Sequence, residues 1–137
     1  LSPEFGEVNG SNHYKQQWHF LPDANITVDK DKNVIRTNFN GRANVILANV
    51  KNNDTIRAQY KYGLYAPERS MFTTVKYGTF EQDKVGIATF NTLVYPVRQD
   101  KDADITTTKL LLDLEDHEAN AFKASVVDTE TEKKNDI

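Results

Sequence analysis

In residues 55–64, Ile56, Ala58, Tyr60, Tyr62 and Leu64 occupy one parity and Arg57, Gln59 and Lys61 the other. Successive side chains of an extended strand leave on opposite faces, so a period of two is the mark of a strand with one face in a core and the other in water. Tyr60 and Tyr62 are therefore expected inside, with Arg57 and Lys61 displayed to solvent. Tyr65 shares the parity of the cations, and Arg69 follows in Ala66-Pro67-Glu68-Arg69, where the strand is expected to break into a loop. Loops carry recognition more often than strands do.

The same grammar recurs along the chain. Residues 43–50 are apolar on both parities, which suits a central strand covered on both faces. Lys51-Asn52-Asn53-Asp54 supplies turn residues that would join it to the next strand as a hairpin. A second hairpin is expected from Met71–Phe80, a turn at Glu81-Gln82-Asp83-Lys84, and a strand over Val85–Val97. In the latter the inward parity shifts from Val85 and Ile87 to Phe90 and Val94, as a bulge near Asn91 would cause. Pro96, lacking an N–H, ends that strand or places it at an edge. Val34–Phe39, with its turn at Asn40-Gly41, and Tyr14–Phe20 read as further strands.

Residues 106–127 admit two readings. As a hairpin, Thr106, Thr108, Leu110, Leu112 and Leu114 share a face, residues 115–120 turn, and Phe122, Ala124 and Val126 return. As a single helix over about 109–124, Leu110, Leu114, Ala121 and Ala124 line a stripe interrupted by His117. The triple threonine before it and Ser125-Val126-Val127 after it favour the hairpin. The fold expected is thus all-β: one domain, an antiparallel meander of about seven to nine strands, closed as a barrel or folded as a sandwich.

At 137 residues the chain is long enough for one hydrophobic core. Residues 1–12 read as a leader, with Ser2-Pro3-Glu4-Phe5 resembling vector-derived sequence. Residues 13–127 form the β-domain. Residues 128–137 hold six charged side chains and are expected to be a frayed tail. The longest uninterrupted apolar run, Val45–Ala48, falls far short of the roughly 20 residues of a membrane-spanning helix. With no cysteine, disulfides, thiolate metal sites and cysteine nucleophiles are excluded. Compartment is left undecided, with a slight lean toward an extracytoplasmic or cell-surface setting.

Charge is distributed unevenly. Residues 29–98 hold eleven basic against six acidic side chains, and residues 99–137 hold five against eleven. Mutual neutralisation on packing is the simple expectation; a polarised surface is the functional one. Nucleic-acid binding is disfavoured by the pI near 5.6 and because cations and tyrosines fall on opposite parities, leaving no stacking platform beside the charges.

Two Asp-rich segments invite a calcium reading. Asp29, Asp31 and Asn33, and again Asp100, Asp102 and Asp104, place oxygen-bearing side chains at alternate positions. Both depart from the EF-hand pattern: Val34 and Ile105 stand where it needs glycine, and Asn40 and Leu111 where it needs glutamate. The interspersed lysines favour plain turns. His13 and His19 are separated by roughly 20 Å on an extended strand, too far to share an ion.

No serine lies in a Gly-x-Ser-x-Gly setting, and there is no phosphate-cradling glycine loop or His-Glu-x-x-His. No catalytic residue and no cofactor is assigned. The function expected is a non-enzymatic protein-recognition or assembly module contacting another protein through Arg57, Lys61, Tyr65 and Arg69. The alternatives are a barrel carrying a small apolar ligand, lined by Tyr60, Tyr62, Phe90 and Leu112, and a calcium-stabilised surface or adhesion domain.

Overall fold

Nine strands account for the described parts of the chain, residues 10–49, 56–110 and 121–130 of the computed structural model. They are β1 (Ser11–Trp18), β2 (Thr27–Asp29), β3 (Val34–Arg36), β4 (Asn44–Asn49), β5 (Ile56–Glu68), β6 (Met71–Val85), β7 (Thr92–Val97), β8 (Lys101–Leu110) and β9 (Ala121–Glu130). One 3-10 turn, Pro22–Ala24, precedes β2. All pairings are antiparallel and give three sheets, ordered β1-β6-β5, β2-β3-β4-β7 and β8-β9. The all-β expectation holds, and no closed barrel forms among the described residues.

The four-stranded sheet lies in the middle of a three-layer stack. On one of its faces Ile35 and Leu47 meet Ile56, Ala58 and Phe80 of the three-stranded sheet, together with Ala24 and Ile26. On the other, Val34, Ile46, Ala48 and Val97 meet Ala103 and Ile105 of β8. This explains why residues 43–50 are apolar on both parities: β4 is covered on both sides. Trp18 packs against the first cluster, its indole N–H donating to the Gln16 side chain at 3.0 Å.

A buried polar relay ties the layers together. Asn49, fully buried, donates to the Thr92 hydroxyl at 2.8 Å; that hydroxyl donates to Gln16 Oε1 of β1 at 2.6 Å, and the Thr107 hydroxyl of β8 donates to the Asn49 carbonyl at 3.1 Å. The opposite charges of the two chain segments also meet: Lys32 bonds Asp104 and Arg36 bonds Asp102. Neutralisation on packing is thus what happens along β8.

Several expected connections differ. The β4 and β5 strands do not pair; they lie in different sheets, and the turn residues proposed between them fall outside the described residues. Glu81–Lys84 is not a turn. The β6 strand runs straight through it and is most buried at residues 78–82, because Glu81 and Gln82 find partners there, Gln82 donating to the Thr89 carbonyl at 2.8 Å. Ile87, Val85 and Val94 are exposed, since β7 turns Leu93, Tyr95 and Val97 inward instead. Pro96 does sit on an edge strand.

Residues 101–110 and 121–130 form the hairpin rather than a helix, with Thr106 opposite Ser125. Its buried parity carries Ala103 and Ile105, so Thr106 and Thr108 face solvent. The β9 strand continues to Glu130, three residues into the segment expected to fray.

The first core ends at Gly78. A Cβ placed there would lie 2.8 Å from Cδ1 and 2.9 Å from Cγ2 of the fully buried Ile35, so the two sheets touch through bare backbone. Gly78→Ala should cost about 1–3 kcal/mol by overpacking, read as a lower urea midpoint at unchanged slope; an unchanged midpoint would mean that the sheets stand further apart.

Candidate functional site

The β5–β6 hairpin outruns the core it helps to build. At roughly 3.3 Å per residue, the fifteen residues of β6 reach about 50 Å, against about 20 Å for the six residues of β4. The middle sheet therefore covers only Ile56, Ala58 and Phe80. Beyond Gly78 the same face continues into water with Tyr60, Tyr62 and Leu64 on β5 and Phe72 on β6, which are 46%, 62%, 76% and 67% exposed. Tyr60 and Tyr62 pack edge to face at 5.9 Å, and the Lys76 ammonium lies 4.5 Å above the Tyr60 ring. Met71, at the tip, is also exposed.

The expectation that Tyr60 and Tyr62 are core side chains is therefore wrong, although the parity was read correctly. Alternation says which residues share a face and nothing about how far the opposing layer extends. The lumen imagined for a ligand-carrying barrel has no counterpart in their placement: Phe90 packs beside the Phe80 cluster, and Leu112 lies outside the described residues.

The opposite face of this sheet is polar and tightly paired. Arg57, Lys61 and Tyr65 do share it, as expected, and Arg69 sits in the turn that closes the hairpin. Arg57 is held by Asp83 at 3.1 Å and Lys61 by Glu81 at 3.1 Å, so neither cation is idle. Glu81 is buried, and burial alone would raise its pKa. Hydrogen bonds from Thr79, Lys61 and His13 outweigh that and bring it down to about 2.

His13, on β1, bridges the two carboxylates. Its Nδ1 lies 2.6 Å from Asp83 Oδ1 and its Nε2 lies 2.8 Å from Glu81 Oε1. A neutral imidazole has one N–H; both contacts are donors only when the ring is protonated. The hydrogen bonds to Asp83 and then Glu81 accordingly raise the pKa of His13 above 6.5, and His13 in turn lowers that of Asp83. Lys15, beside Lys61, is pushed down by it. Because the imidazole points its nitrogens to two different carboxylates, the three groups do not converge on a common point.

The Asp-rich segments are engaged elsewhere. Asp29 Oδ1 accepts the backbone N–H groups of Asp31 and Lys32, both at 3.0 Å, as an ordinary Asx turn. Asn33 is buried against β5, while Asp102 and Asp104 serve Arg36 and Lys32. Asp100 lies in the turn before β8. Among the described residues no three His, Cys, Asp or Glu side chains are grouped so as to hold a metal ion. A shallow cleft of about 230 Å³ lies by Tyr95, Arg98, Lys101 and Asp128, where Asp128 accepts the Tyr95 hydroxyl at 2.8 Å and raises its pKa. No described helix is long and apolar enough to cross a membrane.

Sequence reasoning missed both the exposed aromatic face and the His13 bridge. The signal for the second was present: Thr79, Glu81 and Asp83 share one parity of an unbroken strand. In comparisons with protein families, with characterised proteins and with solved structures, none matches this chain.

The His13 bridge stabilises the fold in its protonated form, so its contribution is complete below about pH 6.5 and disappears as pH rises through the raised value. The Tm advantage of the wild type over His13→Gln should shrink as pH rises above about 6.5; a constant gap would show that the bridge does not need the proton. On the acid side, the Glu81 contribution is present above about 4.5 and is lost as pH falls toward about 2.

Proposed function

We propose that this domain is a non-enzymatic protein-recognition module and that its contact surface is the projecting end of the β5–β6 hairpin. One observation carries the reading: Tyr60, Tyr62, Leu64 and Phe72 form a continuous aromatic and aliphatic face beyond the reach of the core. Among the described residues, five of the eleven exposed large hydrophobics fall between residues 60 and 72, so the exposure is concentrated rather than scattered. Full burial of a large apolar side chain is worth about 1.5–3 kcal/mol, and each of these forgoes the share that its exposed part represents. A partner that covers the face recovers part of it.

The composition suits the role. Tyrosine brings large contact area with few rotatable bonds, and interface energy concentrates in such residues. The Lys76 ammonium over Tyr60 and the edge-to-face tyrosine pair hold the rings in place before any partner arrives. Arg57, Lys61, Tyr65 and Arg69 then frame the back and the tip of the hairpin, with Arg57 and Lys61 anchored by Asp83 and Glu81.

Peptides selected by display against the wild-type domain test this. They should lose at least about tenfold in affinity for Tyr62→Ser/Leu64→Ser, the scale of a hot-spot loss, while the exposed substitutions leave Tm nearly unchanged. Selected peptides that bind this variant as well as the wild type would overturn the proposal.

A further inference from the structure

The open edge of β5 carries a clue to what kind of partner this face takes. Asn33, buried and in the left-handed conformation at φ 57, donates its Nδ2 to the Ile56 carbonyl at 2.8 Å and accepts the Ala58 N–H on its Oδ1 at 3.2 Å. One side-chain amide thus replaces one residue of a neighbouring strand. Main-chain groups of alternate residues point to the same side of a strand, so the N–H and C=O groups of Tyr60, Tyr62 and Leu64 point to that same edge. No described segment bonds them there. Among the described residues, the edge is satisfied where the core reaches it and open where the aromatic face begins.

Charge narrows the occupant further. Residues 56–76 hold Arg57, Lys61, Arg69 and Lys76 against Glu68 alone. On the polar face of the sheet Lys15, Arg57, Lys61 and His13 surround two carboxylates, Glu81 and Asp83. Lys76 lies over Tyr60 and Arg69 at the tip, neither in an ion pair with a carboxylate among the described residues. An added strand would lay one parity beside Tyr60, Tyr62 and Leu64, with Lys76 on the same side, and the other beside Arg57 and Lys61, on a face where these two and Lys15 meet only the two carboxylates.

We infer that the β5 edge at residues 60–64 is a strand-addition site for an extended polypeptide segment that alternates apolar and acidic side chains. Backbone bonds to the edge supply the register, the aromatic face receives the apolar side chains, and the cations receive the carboxylates. This rests on the recognition-module reading and adds its mode and the chemistry of its partner.

The probe is a labelled peptide of alternating Val and Glu, about nine residues long to match a strand, with a Val/Lys peptide as its counterpart. Anisotropy should show the Val/Glu peptide binding at least about tenfold more tightly than Val/Lys, with the difference shrinking at high salt. Amide exchange at Tyr60, Tyr62 and Leu64 should slow at least about tenfold in the complex. Tyr62→Pro removes the ring and an outward N–H, the latter a change an edge tolerates, and should weaken binding at least about tenfold beyond Tyr62→Ser, which removes the ring alone, while the Gln59 and Lys61 amides stay protected by β6. Leu64→Pro should do the same against Leu64→Ser.

Equal binding of the two peptides, or binding without slowed exchange at those three amides, would overturn the inference. Slowing that appears with protein concentration alone would identify a second copy as the occupant and overturn it too. Display-selected peptides that need Tyr62 and Leu64 but leave these amides exchanging freely would sink the edge and spare the module.

Discussion

The seating of Ile35 on the bare backbone of Gly78 fixes where the core stops, and the rest of the molecule follows from that boundary. On one side of it, Phe80 and Ala58 are sealed against Leu47. On the other, the same two strands continue with the same alternation and no layer to meet. The apolar parity of β5 is therefore a single pattern in two environments: burial for Ile56 and Ala58, water for Tyr60, Tyr62 and Leu64.

What ties so long a hairpin to its neighbouring strand lies on its polar face. Glu81 and Asp83 of the central strand β6 take donors from both neighbours, His13 on β1 and Arg57 and Lys61 on β5, and the Thr79 hydroxyl donates to Glu81 as well. The bonds run across all three strands and hold the sheet at the point where it leaves the core. A buried carboxylate is costly unless it is paired and hydrogen-bonded; Glu81 has three donors, which is why its acidity is strengthened in spite of burial. Nearer the tip, the Tyr77 ring lies against Gly63 and stacks on His19, filling the gap that a glycine leaves in a strand.

The fold class was legible in the chain because period-two alternation is local, and so was the double coverage of β4, written in the apolar run around Val45–Ala48. The pairing of strands was less so. Turn-like composition at Glu81–Lys84 suggested a reversal because polar residues in a row look like a turn. In the folded molecule those residues are bonded by groups remote in sequence, such as His13, 68 residues from Glu81. The cationic patch was half legible: Arg57, Lys61 and Tyr65 share a face, but the carboxylates that occupy the first two come from β6. The exposure of Tyr60 and Tyr62 could not be read locally, since it depends on the length of the opposing strands.

The absence of cysteine makes the central claim directly measurable. Single cysteines placed at Ala58, Tyr60, Tyr62 and Leu64 can be timed for reaction with a thiol reagent under native conditions. The account predicts that the last three react at nearly the rate of the unfolded chain, while Ala58→Cys is protected by orders of magnitude. Equal protection at positions 58, 60 and 62 would mean that the core reaches further than Gly78, and would contradict it.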